Sequence, residues 1–130
     1  GNRFQEVIDD ANAKAAKVKT LLLCSGKFYF DLLDRQRKDK REDVAIVRLE
    51  QFYPLPEKQL EAIFKKYGKA QIRWVQEEPA NMGAWTYLLF NYCGKKQMQY
   101  VGRIAAASPA VGFKKKHDEQ QEELVREAFA

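Results

Sequence analysis

The chain has a single histidine, His117, and two cysteines, Cys24 and Cys93, among its 130 residues. So sparse a supply excludes a His-rich metal cluster and gives no metal-ligand spacing, and it leaves one position at which a histidine-centred catalytic arrangement can be built. Neither GxGxxG nor GxxxxGK occurs, although a doubly wound nucleotide site needs glycines for the backbone to approach the phosphates. Ser25 has no second glycine of a nucleophile elbow beside it, and no histidine and acid partners for it can be identified. No apolar stretch nears the roughly 20 residues that span a bilayer, and the polar opening Gly1-Asn2-Arg3 is unlike a signal peptide. A soluble domain is expected, and Gly1 fits a fragment cut from something longer. Internal repeats and low-complexity segments are absent as well.

What is present is 45% apolar and 12% aromatic, enough to bury one proper core in a chain too short for two ordinary domains. Cys24 lies inside one apolar run and Cys93 ends another, which favours buried, reduced thiols over a disulfide and points to a reducing, cytoplasm-like compartment. The formal charge is +5, with an excess of cations in Arg35 to Arg41 and in Lys114-Lys115-Lys116. Such clusters suit nucleic acid or a phosphorylated ligand. The first suits a solvated helix C-terminus better, since the macrodipole favours cations there. Lys114 to Lys116 come just before an expected helix start, so both readings stand there.

Residues 1–17 mix polar residues and alanines without an apolar stripe and read as an arm leading into a domain that runs over 18–130. Val18 to Cys24 is an apolar run of buried-strand length, and Ser25-Gly26 is a turn that opens a helix. Residues 27 to 40 suit that helix, with Phe28 and Leu32, then Tyr29 and Leu33, at i,i+4. Val44 to Leu49 is a second strand. Pro56 stands in the first turn of a second helix, whose Leu60, Ile63, Phe64 and Tyr67 recur at helical spacing until Gly68 stops it. Ile72 to Gln76 forms a third strand, Gly83 to Tyr92 a third helix, Met98 to Val101 a fourth strand, and Asp118 to Phe129 a last helix. Such alternation predicts an α/β fold, a mostly parallel sheet with helices on both faces.

Three features invite a functional reading. The third helix carries Ala84, Trp85, Tyr87, Leu88, Leu89, Phe90 and Tyr92 with hardly a polar face. It is covered either by its own fold or by another domain or chain. Glu77-Glu78-Pro79 follow the third strand at the carboxyl edge, where open α/β sheets place ligands. Paired carboxylates there suit acid-base work or a cation; they also suit hydrogen bonding to the amides that begin the third helix, or to an arginine across an interface. His117, beside Asp118, is either a capping group or a general base.

The strings LLLCSGKFYFDLL at 21–33, REDVAIVRLEQFYPLP at 41–56, WVQEEPANMGAW at 74–85 and YVGRIAAASPAVG at 100–112 resemble, in order and spacing, the C-terminal domain of thiamine-diphosphate-dependent 2-oxoglutarate dehydrogenases. The likeness begins near Phe4 and runs to Phe129. It implies a transketolase-type C-terminal domain, a three-layer α/β/α lobe with a mostly parallel sheet of about five strands and an antiparallel edge strand. With four strands read directly, the resemblance places a fifth, short one in 103–113. It further implies that thiamine diphosphate and Mg²⁺ bind on other domains of the parent enzyme, so no catalytic, cofactor or metal residue is expected here. The expected role is structural and dimerising, within an enzyme that decarboxylates 2-oxoglutarate in the citric acid cycle and passes the succinyl group to a lipoyl arm.

Implied partners are the neighbouring domains, a second subunit, dihydrolipoyl succinyltransferase and dihydrolipoyl dehydrogenase, with neither nucleic acid nor membrane. The implied compartment is the bacterial cytoplasm, or the mitochondrial matrix in a eukaryote. Trp85, Tyr87 and Phe90, with Glu77 and Glu78, are candidate interface anchors. Relatives respond to nucleotide-type effectors, and an alternative role is therefore binding a phosphate-containing effector, an adenine nucleotide or acyl-CoA, through Arg48, Arg103, Ser108 and Lys114. The chain departs from the family at Ile104, where proline is frequent, and at Ala106, where serine is. A free-standing nucleic-acid-binding protein is the remaining alternative, suggested by net charge alone.

Overall fold

The computed structural model describes the backbone of residues 5–92, 98–103 and 114–130, and the side chains of these residues except 89–92, 103 and 114–117. Along the chain the elements are β1 (Val7–Ile8), a 3₁₀ turn (Ala15–Lys17), β2 (Thr20–Cys24), α1 (Phe28–Lys38), β3 (Val44–Leu49), α2 (Glu57–Lys66), β4 (Gln71–Pro79), α3 (Trp85–Tyr92), β5 (Met98–Arg103) and α4 (Lys114–Phe129). The sheet order is β1-β3-β2-β4-β5. β2 runs parallel to β3 and β4, β4 runs parallel to β5, and β1 is antiparallel to β3.

From β2 the chain steps outward to β3, then crosses back over β2 to β4 and continues to β5. Right-handed crossovers in opposite directions must lie on opposite faces. The buried side chains agree: Leu21, Leu23, Val47 and Trp74 pack with Leu60, Phe64 and Leu88 of α2 and α3, whereas Leu22, Ile46 and Val75 pack with Phe28, Leu32, Leu124 and Val125 of α1 and α4. Consecutive residues of a strand point to opposite faces, so a sheet covered on both sides needs continuous apolar runs, and Leu21-Leu22-Leu23 is one. This is the expected three-layer α/β/α lobe.

Of residues 103–113, where the resemblance places a short strand, 104–113 lie outside the described residues; the fifth strand of the described sheet is Val7–Ile8, within the segment read as an arm. So short a run carries no periodicity to read, and its fixation is tertiary. Asp10 Oδ2 accepts Ile46 N at 3.0 Å and Gln36 Nε2 at 3.0 Å, continuing the β3 edge past the end of β1. Asp9 accepts hydrogen bonds from Tyr67 Oη at 2.7 Å and Lys66 Nζ at 2.5 Å. Burial alone would raise the Asp9 carboxyl, but these two donors and the Asp10 amide outweigh it and hold it below its ordinary value.

Other expected boundaries move as well, among them those of β5, which runs to Arg103 rather than Val101, and of α1, which spans Phe28–Lys38 rather than 27–40. The third strand continues beyond Gln76 to Pro79, with a register shift between Val75 and Pro79, before Pro79 pairs with Arg103. α3 starts at Trp85 rather than Gly83, because Gly83 has φ of 70° and belongs to the turn. α4 starts at Lys114, four residues before Asp118, so its first turn holds Lys114 to His117 and no acid. That arrangement opposes the macrodipole, which favours anions there, and the expected start at Asp118 lies about one turn inside the observed helix. The Tyr53–Pro54 peptide is cis.

Candidate functional site

The direction reversal of the topology falls between β2 and β4, and a cleft of about 310 Å³ opens there at the carboxyl ends of the strands. Open α/β sheets place their ligands at this point. Ser25, Lys27, Phe52, Gln76, Glu77 and Glu78 contribute to its lining. The turn Ser25-Gly26 is made possible by φ of 66° at Gly26, and the amide of Gly26 donates to Glu50 Oε1 at 3.3 Å. An internal carboxylate therefore already meets the positive end of α1. Ser25 has no hydrogen bond to a base among the described residues.

Glu77 and Glu78 are not a carboxylate pair. Glu77 Oε1 accepts Gln121 Nε2 from α4 at 2.7 Å, whereas Glu78 turns to the other face, where its Oε2 lies 2.6 Å from the position a Cβ on Gly83 would take. Strand pleating sends neighbours to opposite faces, and the bulge does not change that. Nor do the glutamates serve the amides that begin α3. That task belongs to Gln76, which its place as the last residue of an expected strand does not single out. Its side chain is 4% exposed. Oε1 accepts Trp74 Nε1–H at 2.8 Å and Trp85 N–H at 3.1 Å, while Nε2 faces the carbonyls of Glu78, Pro79 and Met82 at 3.1, 2.9 and 2.8 Å. A polar residue two places beyond a buried tryptophan on a strand, and therefore on its side of the sheet, was the available signal.

Of the proposed phosphate contacts, Arg48 is engaged within the domain. Its Nε donates to Glu50 Oε1 at 3.2 Å, and its guanidinium lies 4.6 Å from the Tyr29 ring centroid. The side chains of Arg103 and Lys114, and Ser108 altogether, lie outside the described residues, as do the side chains of Phe90 and His117 and all of Cys93, Ile104 and Ala106. Cys24 is buried as expected, with its thiol pushed up to about 12 by burial. Trp85 and Tyr87 are half-buried. Trp85 stacks tilted on Tyr100 at 5.3 Å, and Tyr87 meets Tyr53 at 4.4 Å. Within its described part α3 is thus covered inwardly by Leu88, 1% exposed, and flanked by the exposed Tyr53, 76%, and Met82, 58%.

No group of three or more His, Cys, Asp or Glu side chains able to hold a metal ion occurs among the described residues. A Mg²⁺-diphosphate group needs hard oxygen donors converging on one point, and these residues do not fit it. No helix among the described residues is long and apolar enough to cross a membrane.

Residues 1–129 match the family described as 2-oxoglutarate dehydrogenase C-terminal. The chain belongs to that family. The 2-oxoglutarate dehydrogenase E1 component of Cupriavidus necator is 45% identical over 98% of this chain, and that of Azotobacter vinelandii is 45% identical over 87%. The 2-oxoglutarate dehydrogenase E1/E2 component of Corynebacterium glutamicum is 40% identical over 98%. The chain spans 14%, 13% and 11% of the lengths of these relatives. As a 2-oxoglutarate dehydrogenase C-terminal domain, the lobe accounts for the Gln76 hub as architecture: it fixes the β4 bulge and the start of α3.

Proposed function

We propose that this domain is a non-catalytic scaffold of a 2-oxoglutarate dehydrogenase E1 component, and that it helps to build the dimer. The parent decarboxylates 2-oxoglutarate on thiamine diphosphate and Mg²⁺ held by its other domains, and hands the succinyl group to the lipoyl arm of dihydrolipoyl succinyltransferase, with dihydrolipoyl dehydrogenase completing the complex. The compartment is the cytoplasm of a bacterium. The observation that carries this reading is the match of residues 1–129 to a C-terminal family whose members extend far beyond it. The diverging Glu77 and Glu78, and Ser25 without a base, support a structural part. Exposed Tyr53 and Met82 beside α3 are the surface assigned to neighbouring domains or the second subunit, with Trp85 and Tyr87 behind them.

The test uses two preparations. The 130-residue chain, given thiamine diphosphate, Mg²⁺ and 2-oxoglutarate, is expected to release no CO₂ above background, and turnover would overturn the proposal. In the full-length protein, Tyr53→Asp with Met82→Asp is expected to shift the dimer toward monomer in sedimentation velocity and to lower activity in parallel. An unchanged dimer would remove the dimerising role.

A further inference from the structure

A second cleft lies at the other edge of the sheet, at the amino ends of β2 and β3, and encloses about 230 Å³. Lys14, Lys17, Arg37, Lys40 and Arg41 line it, and Glu42 is its one acidic residue. Lys17 pairs with Glu42 at 3.2 Å and Arg41 with Asp43 at 2.9 Å. Lys14, Arg37 and Lys40 have no ion pair among the described residues. Three exposed cations without an ion pair thus border one concavity, and an anion seated there is attracted by all three.

The backbone holds these charges in place. α1 ends in a Schellman turn, in which Arg41 N donates to Gln36 O at 3.0 Å and Lys40 N to Arg37 O at 3.2 Å. These bonds occupy the Gln36 and Arg37 carbonyls and fix the course of the chain from α1 toward β3. The left-handed position of such a turn usually goes to glycine, yet here Lys40 holds it at φ of 51°. A charged side chain thus stands over the cleft where a residue without one fits the backbone better, and backbone strain of this kind collects at ligand-binding places. The floor is fixed too: Gln36 Nε2 donates to Val44 O at 2.8 Å and to Asp10 Oδ2 at 3.0 Å.

We infer that this cleft binds a diphosphate-type small anion, with the Arg37 guanidinium as the fork for one phosphate and Lys14 and Lys40 as point charges on the rest. Its volume falls below that of drug-sized ligand pockets, roughly 300 Å³ and upward, and suits a compact anion. Nucleic acid fits poorly, because no aromatic ring lines the cleft to stack a base. The cleft is separate from the carboxyl-edge cleft and from Tyr53 and Met82, so the inference does not depend on the scaffold role.

Inorganic diphosphate titrated calorimetrically into the 130-residue chain at low salt tests this. Saturable one-to-one binding is expected, weakened at least about tenfold in the double variant Arg37→Gln with Lys40→Gly. Lys40→Gly removes the charge while suiting the left-handed backbone, so melting by circular dichroism is expected to hold or rise. A control with the same loss of charge on α2, Lys58→Gln with Lys65→Gln, is expected to change affinity by less than about twofold. An equal loss in the control would reduce the effect to net charge and overturn the site, as would the absence of saturable binding. An acidic peptide that binds with the same dependence on Arg37 and Lys40 while diphosphate does not would replace the small-anion assignment.

Discussion

Removing the Gln76 side chain breaks the join between β4 and α3. Gln76→Ala leaves the Trp74 indole N–H, in a residue 1% exposed, and the Trp85 amide without their acceptor. It also takes one donor from the carbonyls of Glu78 and Pro79, which keep Tyr100 Oη and the Met82 amide, and from the carbonyl of Met82. Each orphaned buried group costs about 1–3 kcal/mol, and those near the surface recover part of this from water. A net loss of about 3 kcal/mol follows, a large share of the roughly 5–15 kcal/mol that holds a domain together. In a chain of this size it lowers the melting temperature by about 10 °C. Urea unfolding of the 130-residue chain measures it directly. A loss below about 1 kcal/mol would refute the claim that this amide is the hub.

Gln76→Glu sharpens the test, since it keeps oxygen acceptors for Trp74 and Trp85 but sets a carboxylate against the three carbonyls. Burial and those carbonyls raise the pKa of the introduced group in the folded state. An acid whose folded value lies above its unfolded value, about 4.3, costs stability as pH rises from the one through the other. The variant is therefore expected to recover toward wild type in acid and to be weakest at neutrality. A pH-independent deficit would mean that shape, not hydrogen bonding, decides the site.

Gly83→Ala is expected to cost about 2 kcal/mol by thermal melting, because φ of 70° penalises any side chain and the new Cβ would press on the Glu78 carboxylate and on Gln76 Oε1, 3.1 Å away. Asp9→Asn is expected to weaken the docking of β1 at neutral pH. Since the Asp9 pKa is depressed on folding, its contribution is present above the ordinary 3.8 and fades as pH falls below it, so the gap from wild type in urea unfolding should close in acid. A constant gap would deny the ionic part. Cys24, with its thiol raised to about 12 by burial, is expected to resist iodoacetamide at mildly alkaline pH until the chain unfolds, as read by peptide mass mapping; alkylation of the native chain would show that β2 opens locally.

How much was legible in advance differs by element. The four parallel strands and the helices between them could be read because burial on both faces demands unbroken apolar runs and a helix against a sheet demands 3.6-residue spacing; Leu60, Ile63 and Phe64 display it and are buried. The family, too, was written in the order of four strings. Tertiary structure alone decided β1, since two residues carry no period and are held by Asp9, Asp10, Tyr67 and Lys66 from afar in the chain. It also decided that adjacent Glu77 and Glu78 diverge, that Gln76 between them and the core gathers five polar groups, and that cations from two segments share one cleft. Burial patterns are local properties of a strand or helix, whereas hydrogen bonds and charges between distant segments exist only once the chain has brought them within a few ångströms.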